Sequence, residues 1–287
     1  MRALIAGSNG QLGRALQANA PPHVIVIAPP EADFDITDAD AVRAVVAEAC
    51  PDVVINAAAY TAVDCAEGDE AVARRVNVNA VGTLAAAARI AGAAFAHVST
   101  DFIFDGTAHR PYATDALPNP LSVYGRTKLD GEIAAAEFHA CPLIVRTAWV
   151  YAAQGNNFVA TMLRLMRERS EVRVVADQIG TPTHVPTLAR TLWTLINGKH
   201  IGVFHATDAG VASWYDFAVA IHEEAQTAGL LNSPVTIVPI RTEDYPTPAH
   251  RPAYSVLDKT ATWAITGSAR HWREELRDCI AAIKDQP

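Results

Sequence analysis

The sequence predicts an α/β chain: a Rossmann-type, doubly wound parallel sheet with a smaller C-terminal substrate-binding lobe. Two observations point there. The chain opens on a short apolar run, Arg2 to Ala6, which breaks at Gly7-Ser8-Asn9-Gly10-Gln11-Leu12-Gly13 and passes into a helical pattern. Apolar runs of strand length then alternate with helical stretches as far as Tyr151, after which the alternation weakens. A dinucleotide-binding unit is therefore expected over residues 1–151 and a smaller lobe over 152–287, with part of 152–230 free to return to the main sheet.

A Gly-x-x-Gly-x-x-Gly turn between strand and helix lets the backbone bend tightly and approach a pyrophosphate, which then rests on the unpaired N–H groups of the helix N-terminus. Gly7, Gly10 and Gly13 are the candidates; a plain strand-to-helix turn is the alternative. The second strand is expected over Val24 to Ala28. Its end, Ala28-Pro29-Pro30 with Glu31 late, lacks the well-placed acid that holds a ribose 2′-hydroxyl in enzymes restricted to NAD. NADPH should thus be accepted, with NADH as a second donor. Asp35-Ile36-Thr37-Asp38 opens a helix with Thr37 or Asp38 as N-cap, and Asp35 and Ile36 are candidates to flank an adenine, with capping alone as an equal account of the aspartates.

A third strand, Asp52 to Asn56, ends in Ala57-Ala58-Ala59-Tyr60, whose small residues would let a cofactor lie across the strand end, with tight helix packing as the alternative. Asn77-Val78-Asn79-Ala80-Val81-Gly82-Thr83 leads an alanine-rich helix in which Asn79 is expected to be buried and hydrogen-bonded. The fourth strand, Ala94 to Val98, delivers Ser99 and Thr100 to the carboxyl edge, where such sheets bind ligands. An irregular, proline-containing loop covers Asp101 to Ser122, Tyr124 starts a helix, and Pro142 to Arg146 form the fifth strand. Trp149, at its exit, is a candidate to stack on a sugar or base, with a core position as the even alternative.

Beyond Tyr151, Gly155-Asn156-Asn157-Phe158 caps a helix. Further helices are expected over Pro186 to Ile196, Trp214 to Ala225 and His271 to Ile283, with a strand at Val203 to Ala206. The segment Tyr245-Pro246-Thr247-Pro248-Ala249-His250-Arg251-Pro252 cannot be helical throughout and presents Arg251 on a stiff loop, suited to a fork contact with a phosphate, with a solvated surface arginine as the alternative.

Composition excludes several classes. In 287 residues half are hydrophobic and 19% charged, enough for a sizeable core. A net charge of −8 argues against nucleic acid or an anionic membrane as partner. Cys50, Cys65, Cys141 and Cys279 form no C-x-x-C pair, there is no charged-then-apolar leader, and no apolar run approaches the roughly 20 residues of a membrane span. A reduced, cytoplasmic protein is expected. The ten histidines lack metal-site spacing, so no catalytic metal is assigned.

The chemistry centres on Thr100, Tyr124 and Lys128. Side chains at i and i+4 of a helix share a face, so Lys128 lies beside Tyr124. A phenol normally titrates near ~10. The sequence reading is that the ammonium lowers this value, letting Tyr124 hand a proton to a carbonyl oxygen while a cofactor delivers hydride. Thr100 supplies a second hydroxyl to the substrate oxygen.

The glycine triplet, Asn79-Ala80-Val81-Gly82-Thr83, Thr100 and Tyr124-x-x-x-Lys128 together resemble the extended short-chain dehydrogenase/reductase family. Five stretches narrow the resemblance: Asn56-Ala57-Ala58-Ala59-Tyr60-Thr61-Ala62-Val63-Asp64, Ser99 to Gly106, Arg146 to Tyr151, Gly155 to Phe158, and Tyr245-Pro246-Thr247-Pro248 leading to Arg251-Pro252. They are similar to the branch that reduces the C4 ketone of dTDP-4-dehydro-L-rhamnose with NADPH or NADH. The resemblance implies Tyr124 as proton donor, Lys128 and Thr100 beside it, and Lys128 also on the nicotinamide ribose. It implies cofactor contacts at Gly7, Gly10, Gln11, Leu12, Gly13, Asp35, Ile36, Ala58, Ala59, Tyr60, Thr61 and Asn79. Thr100, Asp101, Trp149, Asn157 and Arg251 would meet the dTDP-sugar. Some members dimerise around a magnesium ion held by glutamates. The matching positions here are Ala15 and Pro186, which cannot ligate, so a monomer or metal-independent homodimer is expected. The same family also contains a non-catalytic regulatory subunit of methionine adenosyltransferase and other nucleotide-sugar 4-ketoreductases and epimerases, two alternatives open on the sequence alone.

Overall fold

A computed structural model describes residues 1–286. The opening apolar run forms β1 (Arg2–Ala6), in which every residue after Arg2 is buried, as a strand covered on both faces requires. The chain then turns at Gly7 into α1 (Gln11–Ala18) and continues through β2 (Ile25–Ile27), α2 (Ala39–Ala49) and β3 (Val53–Asn56). Asp38 caps α2, its carboxylate accepting from the N–H groups of Asp40 and Ala41. α3 (Ala80–Ile90), β4 (Ala94–Thr100), α4 (Val123–Phe138) and β5 (Leu143–Thr147) follow.

After Tyr151 come α5 (Phe158–Glu168), β6 (Glu171–Val175), α6 (Val185–Asn197), β7 (Gly202–His205), α7 (Trp214–Thr227), β8 (Thr236–Ile240) and α8 (Trp272–Lys284). The main sheet has six parallel strands in the order β7-β5-β4-β3-β1-β2. Residues 202–205 thus rejoin the main sheet beside β5, and the sheet draws on chain from both sides of Tyr151.

One face of the sheet packs on α1 and α6, with Leu16, Leu188, Leu192 and Trp193 at the contact. Trp193 Nε1 donates to the Leu16 carbonyl at 3.0 Å, so the indole brings no unpaired donor into the core. The other face packs on α2 and α3 through Val42, Val46, Val81 and Leu84. A second core, around Tyr151, Met162, Phe217, Leu276 and Ile280, belongs to the smaller lobe. There β6 and β8 pair in parallel along five residues, a ladder the sequence reading did not contain.

The strand order reverses direction at β1, between β2 and β3, and a crevice opens at the carboxyl ends of such strands. The turns after β1 and β3 meet there. A Cβ placed on Gly7 would come within 2.6 Å of the Ala58 nitrogen, so only glycine fits.

Candidate active site

The crevice is a cavity of about 950 Å³ lined by the Gly7–Leu12 turn, the chain after β3, the end of β4, the first turn of α4 and the exit of β5. Gly10 caps α1 with no side-chain hydrogen bond, and the first turn carries no acid. Its N–H groups therefore remain open to an anion. Gly13 lies outside the lining and serves packing, since a Cβ there would stand 2.1 Å from the Gly7 carbonyl oxygen. Farther along lie Phe34, Asp35, Ile36 and Thr37, and on the opposite wall Ala57, Ala58, Ala59, Tyr60 and Thr61. This glycine cradle and its free backbone donors fit a dinucleotide pyrophosphate.

The end of the cavity lined by Thr100, Tyr124 and Lys128 is built by β4 and α4. Ser122 caps α4, its hydroxyl accepting from the Gly125 N–H at 3.1 Å, which starts the helix so that Tyr124 and Lys128 share the face toward the cavity. The Tyr124 ring meets Phe102 edge-on at 5.5 Å. Thr100 and Asp101 are buried at the strand end, the Thr100 hydroxyl 3.1 Å from Asp101 Oδ1. Ser99 Oγ and Asp101 Oδ2 are buried without a hydrogen-bond partner among the described residues. Buried polar atoms seldom remain unpaired, so both are available to a ligand in the cavity they line.

The electrostatics correct one expectation. Burial pushes the Tyr124 phenol up to about 12, the Thr100 hydrogen bond recovers part of that, and the Asp101 charge adds to it. Lys128 is 2% exposed, and burial brings its ammonium down to about 8 against a raising influence from Glu132. Its Nζ donates to the Val98 carbonyl at 2.6 Å. The lysine therefore does not acidify the phenol, because desolvation outweighs the charge of a neighbour that is itself desolvated. Asp101 is pushed up to about 6 by burial, despite the lowering influence of Ser255 and Thr100 nearby.

Three further placements differ from expectation. Asn79 is exposed and outside the cavity. A π-helical turn, Arg75–Asn79, shifts the register ahead of α3 and brings Asn77 inward instead, where Oδ1 accepts from the Tyr60 N–H at 2.9 Å and Nδ2 donates to Thr127. Asn157 is the N-cap of α5, its Oδ1 accepting from the Ala160 N–H. Its Nδ2 donates to Gln11 Oε1 at 2.9 Å, tying the glycine turn to the smaller lobe without facing the cavity. Arg251 does line the cavity, but its fork is taken by Asp64, at 2.7 and 3.0 Å, rather than left open for a phosphate.

Trp149 lines the cavity in a left-handed backbone conformation, φ +48°, uncommon for a bulky residue. It stacks on Trp214 with ring centroids 3.5 Å apart. Sequence reasoning placed Trp214 at a helix start but not in the site; its partner lies 65 positions away and no local pattern links them. Asn56 and His97, buried behind Lys128, were missed for the same reason. Among the described residues no cluster of three or more His, Cys, Asp or Glu forms a metal site.

The profile of the RmlD substrate-binding-domain family matches residues 1–284. The chain is 42% identical to the dTDP-4-dehydrorhamnose reductase of Burkholderia thailandensis over the whole of both chains. Its fold superposes on that of a dTDP-4-dehydrorhamnose reductase from Clostridium acetobutylicum with a TM-score of 0.93, at 42% identity over 99% of this chain and 100% of that one. The corresponding protein of Bacillus anthracis, solved in complex with NADP, gives a TM-score of 0.92 at 36% identity over 98% and 99% of the two chains.

Proposed function

The chain belongs to the RmlD substrate-binding-domain family, and from that premise we propose that it reduces the C4 ketone of dTDP-4-dehydro-β-L-rhamnose to dTDP-L-rhamnose, the last step of dTDP-L-rhamnose synthesis. The observation that carries this reading is the convergence of Thr100, Tyr124 and Lys128 with the Gly7–Leu12 turn on one cavity. Gly7, Gly10, Gln11 and Leu12 would hold the pyrophosphate of NADPH, Asp35 and Ile36 the adenine side, and Ala58, Ala59, Tyr60 and Thr61 the middle. Bound NADPH supplies the hydride.

As the ketone carbon is reduced its oxygen gathers negative charge, and the Tyr124 hydroxyl meets that charge in the transition state rather than the ground state. An alkoxide is more basic than a phenolate, so even a phenol at about 12 delivers its proton downhill. The phenolate left behind holds a proton more tightly than Lys128, whose ammonium sits at about 8. Lys128 on the same helix face can therefore reload it. Thr100 shares the substrate oxygen, and Ser99 and Asp101 offer polar atoms to the sugar.

The support for a magnesium-free monomer or homodimer is that Ala15 and Pro186 carry no ligating atom. A cytoplasmic location is favoured by four unpaired cysteines. The test is NADPH oxidation by the purified protein with a panel of dTDP- and GDP-4-keto-6-deoxysugars. Fastest turnover is expected with dTDP-4-dehydro-β-L-rhamnose, with NADH as a second donor. Binding of NADPH without its consumption by any member of the panel would overturn the reading and leave a nucleotide-binding regulatory role.

A further inference from the structure

We propose that Asn56 and His97 are positioning residues that deny Lys128 an acceptor in the core and so turn its remaining protons toward the cavity. The inference deepens the reading of Lys128 as the proton source for Tyr124 and rests on it.

Behind Lys128 stand two polar atoms. The Val98 carbonyl accepts one N–H of the ammonium at 2.6 Å, and His97 Nε2 lies 3.4 Å from Nζ. Whether His97 takes a second proton depends on which ring nitrogen carries the hydrogen, and the neighbours decide this. The Ala58 backbone N–H can only donate, and it donates to Asn56 Oδ1 at 3.1 Å. The Asn56 amide is thereby oriented with Nδ2 toward His97, 3.1 Å from Nδ1. An amide NH₂ offers only donors, so Nδ1 must present its lone pair. Burial and the lysine charge keep the ring neutral. Its single hydrogen then sits on Nε2, facing Lys128.

Donor thus faces donor across the 3.4 Å separation, and the ammonium keeps one bond to the core instead of two. Its other N–H groups have only the cavity side, which Lys128 lines. The chain of contacts is sealed from solvent, with Asn56 and His97 at 0% exposure and Lys128 at 2%. Asn56 stands directly opposite His97 on neighbouring strands, so the sheet register holds the pair in place. At its other end is Ala58, on the wall proposed for the cofactor, so the loop that holds the cofactor also sets the lysine's hydrogen-bond partner.

The direct test is a two-bond ¹H–¹⁵N spectrum of the full-length protein labelled at histidine, with the His97 signals assigned by their loss in His97→Gln. We expect hydrogen on Nε2 and a bare Nδ1; hydrogen on Nδ1 would overturn the proposal. Activity supplies a second readout. His97→Gln and His97→Leu both leave the lysine without a second core acceptor and should hold kcat within about threefold, whereas Asn56→Asp, whose carboxylate draws the ring hydrogen to Nδ1 and leaves Nε2 bare toward Lys128, should lower kcat roughly tenfold or more. A folded Asn56→Asp protein with unaltered kcat would also overturn it. The tautomer is measured without substrate, so failure of the reductase reading, seen as no NADPH oxidation by the unsubstituted protein, stays distinguishable.

Discussion

At Asp101 burial wins over hydrogen bonding. Ser255 and Thr100 both favour the carboxylate, yet a side chain with 2% exposure is pushed up to about 6. The folded chain therefore binds this proton more tightly than the unfolded chain, whose aspartates titrate near ~3.9. The stability the proton confers is fully present below that value and is lost as pH rises through about 6. Asp101→Asn should remove this loss and, near neutral pH, stabilise the fold by about 3 kcal/mol relative to the parent. Denaturant midpoints between pH 4 and 7 would check it, and parallel pH dependences for the two proteins would contradict it. Tyr124 and Lys128 carry the related lesson. Their shared helix face was legible from the i, i+4 spacing, but the direction of the phenol's shift was not, because spacing reveals a neighbour's charge and not how thoroughly both groups leave water.

The α4 element shows how one helix is fixed against three parts of the chain. Cβ atoms on Gly125 and Gly131 would come within 2.2 Å of the Phe102 carbonyl oxygen and 2.1 Å of the Asn77 carbonyl oxygen, so the helix lies directly on backbone. On its buried side Glu132 receives Arg146 of β5 at 2.8 Å, with both side chains 5% exposed, and Arg146 also donates to the Thr114 carbonyl. Removing one member of such a pair strands a charge. Arg146→Met should cost roughly 3 to 5 kcal/mol, and the double variant with Glu132→Leu should recover much of that in urea unfolding. Additive losses would contradict the coupling. The sequence placed the start of this helix at Tyr124, one residue past its observed first residue, Val123. Asn79 was misplaced because a π-turn inserts a residue that no 3.6-residue pattern reveals, and the β6–β8 ladder escaped notice because it joins segments 65 residues apart in sequence.

At the scale of the molecule, two lobes close on one cavity. Gln11 meets Asn157, Trp149 stacks on Trp214, and Asp64 clasps Arg251 across 187 positions. The glycine turn, the parallel alternation and the shared face of Tyr124 and Lys128 were legible because each is local in sequence; the contacts that bring the smaller lobe over them were not, because each joins distant segments. What the architecture is held to accomplish is protonation of a sugar ketone by Tyr124 beside a bound nicotinamide. The most direct measurement is kcat for NADPH oxidation with dTDP-4-dehydro-β-L-rhamnose by Tyr124→Phe, alongside its affinity for NADPH. A loss of about a hundredfold or more in kcat with affinity nearly intact is expected, and turnover at the parent rate would contradict the account.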